Sequence, residues 1–107
     1  MEITINARHC TVPDSLRNQA TQRITRLQRL HRRLTGGTIV FEVEREVRRA
    51  EARLAVAGGP PLIARAEGAT LRAAMDGALD RLERQLKRRR ERIVARRGRS
   101  ARRLAPS

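Results

Sequence analysis

The side chains best suited to acid–base or nucleophilic chemistry are two histidines, His9 and His31, and one cysteine, Cys10. Neither histidine lies in a motif that would pair it with a nucleophile. A lone cysteine forms no internal disulfide and does not support a thiolate metal site, so we interpret Cys10 as a small buried apolar residue. No glycine-rich phosphate loop follows a strand, because Gly36-Gly37 and Gly58-Gly59 are typical of plain turns. We therefore expect no enzymatic activity, no metal site and no cofactor.

Two carboxylates, Asp76 and Asp80, lie four residues apart on a predicted helix. At that spacing they share one helix face and could in principle hold a metal ion. The simpler interpretation is that they offset neighbouring arginines.

Cationic side chains are the abundant chemistry of this sequence. The 107 residues include 25 Lys and Arg against 11 Asp and Glu, a net charge of +14, and residues 81–107 alone carry twelve basic and two acidic side chains, a net charge of +10. So large a positive charge indicates a polyanionic partner, and nucleic acid is the commonest polyanion in a cell. Lys87 is the one lysine. The planar guanidinium of arginine binds phosphate in a bidentate geometry, which would explain the excess of arginine over lysine. A GC-rich genome, which favours arginine codons, would explain it equally well.

The basic residues recur at helical spacing in two places. The positions i, i+3 and i+7 are occupied by Arg26, Arg29 and Arg33 and again by Arg81, Arg84 and Arg88. On helices packed side by side, two such rows would form one broad basic face. A solvated face that only keeps the protein soluble is the alternative, but two matched rows and the basic C-terminal segment favour nucleic-acid binding.

Aromatic residues make up only 1% of the chain, and Phe41 is the sole one. Modules that read single-stranded bases stack them on aromatic side chains. The sequence therefore favours recognition of the nucleic-acid backbone or shape.

Apolar periodicity predicts the elements that position these residues. A capping box of Thr11 and Asp14, or Asp14 alone, should begin a first helix whose apolar face runs to Leu34 and which Gly36-Gly37 ends. Alternation predicts four strands, over residues 2–7, 39–44, 50–56 and 62–67, with a hairpin turn at Arg48-Arg49. A second apolar stripe begins at Leu71 and weakens after Leu86, so this helix should leave the core near residue 87.

Two strands that bracket a helix should pair in parallel through a right-handed crossover, and the next two strands should extend the sheet as an antiparallel meander. Each helix has one apolar stripe, so both should cover the same sheet face. We predict an α+β fold of order β-α-β-β-β-α, with a four-stranded mixed sheet and two helices on one face. Residues 1–97 should form the domain, and residues 98–107 a basic, disordered tail.

Three segments together resemble a known family. They are Ala66-Glu67-Gly68, the stretch from Ala73 to Gly77, and the segment Asp80-Arg81-Leu82-Glu83-Arg84-Gln85-Leu86-Lys87-Arg88. The sequence is similar to the ribosome hibernation-promoting factors and ribosome-associated inhibitors, also called sigma-54 modulation proteins, over residues 1 to 92. It departs from that family at the start of the second helix, where Thr70 and Arg72 replace an Asp and an aromatic.

The resemblance implies a factor that occupies the cleft of the small ribosomal subunit through which messenger and transfer RNA pass, which blocks translation. It implies rRNA contacts at a set of basic positions that match Arg17, Arg23, Arg26, Arg81, Arg84, Lys87 and Arg88. With Arg29 and Arg33 from the helical row and Arg92 farther along the second helix, these are the predicted rRNA-binding residues. We expect a cytoplasmic protein that is monomeric off the ribosome and has no membrane partner.

Three other functions remain as alternatives. A nonspecific architectural protein would bind naked DNA and RNA as well as ribosomes. A structural ribosomal protein would be stoichiometric in growing cells. An interfacial membrane helix is disfavoured, because the basic helix lacks Trp or Phe anchors.

Overall fold

Six elements follow one another in the predicted order. The computed structural model describes the backbone of residues 2–104 and the side chains of residues 2–90. The elements are β1 (Glu2–Arg8), α1 (Asp14–Leu30), β2 (Leu34–Glu44), β3 (Val47–Val56), β4 (Leu62–Gly68) and α2 (Leu71–Leu104). The α+β order is therefore confirmed.

The four strands form one mixed sheet in the order β1-β2-β3-β4. β1 runs parallel to β2, as expected for two strands joined by a helix, and β2, β3 and β4 form the antiparallel meander. The core lies between this sheet and the two helices. It is aliphatic apart from Phe41, which is fully buried, and it takes every second residue of β3 and β4, such as Ala52 and Ala64. The opposite face carries charged pairs, including Arg65 Nε to Glu51 Oε2 at 2.7 Å.

The first helix ends earlier than predicted. α1 stops at Leu30, which is 63% exposed, and Gly36 and Gly37 lie inside β2. Leu34 is buried as predicted, but from the strand, because it pairs there with Val56 of β3. A Cβ at position 37 would lie 2.9 Å from Ile24 Cγ2. Gly37 thus allows α1 to approach β2 closely. The helix ends before Leu34 because this residue and those after it pair with β3 as a strand.

Two local predictions are also wrong. The hairpin turn lies at Arg45 and Glu46, whose φ angles of 48° and 68° match a two-residue turn of the mirror-image type, and not at Arg48-Arg49, which belongs to β3. The N-cap of α1 is Pro13, and no side chain in the described part of the molecule caps this end. Proline has no side-chain acceptor for a capping hydrogen bond. Asp14 is the first helical residue, where its negative charge interacts favourably with the positive end of the helix dipole.

The second helix keeps the predicted stripe, whose last buried member in the described part is Leu86. The helix continues through Leu104, beyond Gly98, the predicted start of the tail. The side chains of the tail lie outside the described residues, so the division at residue 98 stays a prediction.

Side chains of the helices bond to the outer strands. Arg81, Gln85 and Arg89, each four residues apart on α2, donate hydrogen bonds to backbone carbonyls along β4 and just before it. The distance is 3.2 Å from Gln85 Nε2 to Ile63 O and 2.9 Å from Arg89 Nη1 to Pro60 O. At the opposite edge of the sheet, Arg17 Nη1 donates to Ile5 O of β1 at 3.3 Å. These contacts fix the position of each helix over its strand.

Candidate nucleic-acid interface

A groove of about 550 Å³ lies between the C-terminal half of α1 and the middle of α2. We call it the interhelical groove. Its lining consists of Arg23, Arg26, Leu27, Leu30, His31, Glu83, Lys87 and Arg90. Four of these side chains are cations and one is a carboxylate, so the groove is basic. Leu27 is buried, whereas Leu30 presents an apolar surface beside the cations.

Two short segments place the cations of this groove. On α1, Arg26 lies next to Leu27, which is buried in the core and fixes this part of the helix, while the side chain of Arg26 is exposed. On α2, Lys87 follows the last buried leucine, Leu86, and Arg90 lies three residues farther on the same side of the helix. Guanidinium and ammonium groups brought together in this way can bind phosphate oxygens through charge-assisted hydrogen bonds.

Arg23 occupies the helix–helix contact deeper along the same groove. Its Nη1 lies 2.9 Å from Asp76 Oδ1, and its Nη2 lies 3.0 Å from Asp80 Oδ1 and 3.5 Å from Glu83 Oε1. The interpretation that Asp76 and Asp80 offset an arginine is therefore confirmed. Among the described residues no group of three or more His, Cys, Asp or Glu side chains could hold a metal ion.

The row of α2 does not face α1. Arg81 donates to Arg65 O of β4, on the far side of α2 from the carboxylates that meet Arg23. Because a residue advances 100° around a helix, Arg88, seven residues on, lies on the same side as Arg81, whereas Arg84, three residues on, lies on the outer face beside Asp80. The single face expected from two adjacent rows is therefore divided, because the apolar stripe of α2 packs on β3 and β4 and turns its acidic flank toward α1.

The other predicted residues are dispersed. Arg17 bonds to β1, Arg29 is exposed on α1, and Arg33 lies in the turn after α1 rather than on the helix. Arg92 lies outside the residues whose side chains are described. Of the ten predicted residues, the groove brings together Arg23, Arg26 and Lys87.

Sequence reasoning missed Arg90 and His31 as members of this groove. The signal for Arg90 was available, because it lies three residues after Lys87 and seven after Glu83, on the flank that meets α1. Burial lowers the pKa of His31 below its ordinary value, the nearby Arg90 lowers it further, and Glu83 opposes them weakly. A neutral imidazole therefore lines the groove near neutral pH.

Within the part of the chain that the structure describes, no helix has the length and apolarity needed to cross a membrane. The candidate interface is a surface of exposed cations, with the groove at its centre and Arg84 and Arg88 beside it.

Known proteins are similar to this chain in sequence and in fold. The ribosome hibernation promoting factor of Azotobacter vinelandii is 33% identical over 96 residues, which are 90% of this chain and 89% of the relative. That of Pseudomonas putida is 31% identical over 91 residues, which are 85% of this chain and 88% of the relative. Among solved structures, the N-terminal domain of Thermus thermophilus Protein Y superposes with a TM-score of 0.71 at 31% identity, covering 82% of this chain and 98% of that one.

A ribosomal subunit interface protein from Coxiella burnetii superposes with a TM-score of 0.77, covering 85% of this chain and 99% of that one. At 20% identity it supports the fold alone. The family described as Sigma 54 modulation protein / S30EA ribosomal protein matches residues 3–94. The family resemblance found in the sequence is thus confirmed, and the chain belongs to the Sigma 54 modulation protein / S30EA ribosomal protein family.

Proposed function

We propose that this protein binds the small ribosomal subunit through rRNA phosphates and keeps the ribosome inactive by occupying the cleft for messenger and transfer RNA. The observation that carries the proposal is the interhelical groove, where Arg26, Lys87 and Arg90 converge beside the exposed row of α2. The names of the relatives, ribosome hibernation promoting factors, support the ribosome as the partner and hibernation as the outcome.

The chemistry of the groove suits a folded RNA. Each arginine or lysine that neutralises a phosphate releases a condensed counterion, which favours binding and makes it depend on salt. The lining contains no Phe, Tyr or Trp ring, and its one ring is the half-buried imidazole of His31, so it offers no aromatic platform for successive bases. Recognition therefore depends on where rRNA phosphates lie in space, and a rigid ribosomal cleft supplies such an arrangement whereas a flexible single strand does not.

The proposed role requires binding and no bond-breaking step. The description of the family names no reaction, in keeping with a protein that acts by occupying a site. The cell compartment that follows from this proposal is the cytoplasm, where ribosomes work.

Sucrose-gradient sedimentation with purified small subunits tests the proposal. At physiological salt the protein should sediment with the subunit, and excess naked duplex DNA or unstructured RNA should displace little of it. Messenger RNA and transfer RNA bound beforehand should reduce the amount that sediments. Displacement by any polyanion in proportion to its charge would instead support a nonspecific nucleic-acid-binding protein.

Protein abundance tests a further alternative. A hibernation factor should be scarce relative to ribosomes in growing cells and abundant at rest. A constant one-to-one ratio to ribosomes would support a structural ribosomal protein.

A further inference from the structure

Arg23 makes the most extensive ion-pair network in the described part of the protein. Its two terminal nitrogens point at different carboxylates of α2, Nη1 at Asp76 and Nη2 at Asp80 and Glu83. Only 29% of the Arg23 side chain is exposed, whereas each partner is about half exposed. Its guanidinium is thus directed into the contact between the helices and away from solvent.

This arrangement leaves little of Arg23 for a phosphate. A bidentate phosphate contact needs two parallel N–H groups of a guanidinium, and both terminal nitrogens of Arg23 are already bonded to carboxylate oxygens. A phosphate approaching Arg23 would also meet the negative charges of Asp76 and Asp80. The geometry therefore favours a different role for Arg23 from that of the exposed cations around it.

The spacing of the carboxylates indicates what that role is. Asp80 lies four residues before Arg84, and Glu83 lies four residues before Lys87. An acidic residue four positions before a basic one is the favourable orientation for an ion pair along a helix. Without Arg23, each carboxylate would have a basic neighbour on its own helix to pair with.

We propose that Arg23 is a positioning residue that holds Asp80 and Glu83 toward α1 and so keeps Arg84 and Lys87 available for phosphate. This inference rests on the proposed function for its consequence, but not for its structural basis. It assigns to Arg23 no direct contact with rRNA, in place of the contact that the family resemblance implies.

The chain offers a probe that needs no ribosome, because Lys87 is its one lysine. The rate at which acetic anhydride acetylates Lys87 reports whether its ammonium is paired, and mass spectrometry separates this site from the N-terminus. In Arg23→Gln, Glu83 should turn to Lys87 and slow the reaction roughly twofold, the fold-change that corresponds to one pair of this kind. Adding Glu83→Gln to Arg23→Gln should restore the rate of the unmodified protein.

Glu83→Gln alone guards against a folding defect in Arg23→Gln. If Arg23 already holds Glu83 away, this variant should leave the acetylation rate of Lys87 unchanged. A faster reaction would mean that Glu83 pairs with Lys87 in the native protein, and the proposal would be wrong.

Ribosome binding then separates positioning from direct contact. Arg23→Gln should weaken ribosome binding roughly fourfold, about twofold for each of the new pairs of Arg84 and Lys87, which binding to phosphate must break. The variant Arg23→Gln/Asp80→Asn/Glu83→Gln should recover this loss of affinity, because no carboxylate is left to pair with Arg84 or Lys87. The control Arg23→Gln/Glu51→Gln/Glu67→Gln has the same net charge but alters the open sheet face, and it should stay defective.

A direct contact gives a different pattern. In Arg23→Gln the plot of log affinity against log salt would become shallower by about 0.7 to 0.9, the effect of losing one phosphate contact, and the affinity would not recover when Asp80 and Glu83 are neutralised. Equal recovery in the two charge-matched variants would show a general field effect, which also overturns the proposal. Failure of the unmodified protein to bind small subunits would contradict the proposed function and leave the acetylation result to decide the role of Arg23.

Discussion

Replacing four exposed cations of the two helices with glutamine tests the location of the phosphate-binding surface. The four are Arg26, Arg84, Lys87 and Arg88, all exposed and none of them in an ion pair within residues 2–90. The net charge falls from +14 to +10. Folding should change little, because exposed charges contribute little to the free energy of unfolding.

The expected loss can be worked out from counterion release. If each side chain neutralises one phosphate, the slope of log affinity against log salt should become shallower by about 3 to 4. A rise from about 50 mM to about 200 mM salt spans roughly 0.6 logarithmic units, so the advantage of the unmodified protein should shrink about a hundredfold over that range. Filter binding or gradient sedimentation with small subunits at several salt concentrations measures the slope directly.

A matched variant serves as the control. Arg8 and Arg53 lie on the open sheet face, Arg45 lies in the hairpin turn, and Arg48 lies near the start of β3, outside the interhelical groove. All four are exposed and carry the same total charge. Their replacement with glutamine should change the slope by much less. Equal slopes in the two variants would mean that a long-range field, and not a defined surface, governs binding, and the site assignment would be refuted.

Three further predictions concern stability and the C-terminal segment. Gly68→Ala should destabilise the fold by about 1–3 kcal/mol, because its Cβ would lie 2.7 Å from the backbone nitrogen of Ala74. Gly59→Ala should leave the urea midpoint unchanged, because its Cβ would meet only the flexible Arg89 side chain, at an ordinary 3.6 Å. Equal midpoints in the two variants would contradict the tight approach of β4 to α2. The lowered pKa of His31 means that the unfolded chain binds the proton more readily, so this group's contribution to stability should fall as the pH drops below about 6.5. His31→Asn should therefore flatten the acid side of a melting-temperature profile, and an unchanged profile would show that His31 is not responsible. Deleting residues 98–107 should leave the melting temperature almost unchanged and weaken ribosome binding modestly; a large fall would show that this segment packs on the domain.

The fold was predictable because its buried residues recur at the spacing of a strand or of a helix. Alternation in β3 and β4 and the stripe of α2 each identify buried residues correctly, from Ala52 and Ala64 to Leu82. The errors arise where one pattern fits two structures. Leu34 continues the stripe of α1 and also begins β2, and only pairing with Val56 of β3, distant in sequence, decides between them. The hairpin turn at Arg45 lacks glycine and asparagine, so the residue types gave no signal.

The candidate site was predicted less completely than the fold. Spacing identifies which arginines share a helix face, but not which side of that helix meets its neighbour. The orientation of α2 depends on how its stripe packs on β3 and β4, and this packing places Arg81 over the edge of β4 and turns Asp76 toward Arg23. Arg90 became part of the groove for the same reason.

The hydrogen bonds from the helices to the outer strands have a consequence for aggregation. An uncovered edge strand presents unpaired carbonyl and amide groups to which a strand of another molecule can add. Here Arg81, Gln85 and Arg89 occupy carbonyls along β4 and just before it, and Arg17 occupies one on β1. These three arginines and one glutamine should therefore oppose edge-to-edge association, apart from any contact with RNA. Substituting Arg81 or Arg89 would open β4 to other chains, and a fall in ribosome binding by such a variant would reflect self-association as well as lost charge.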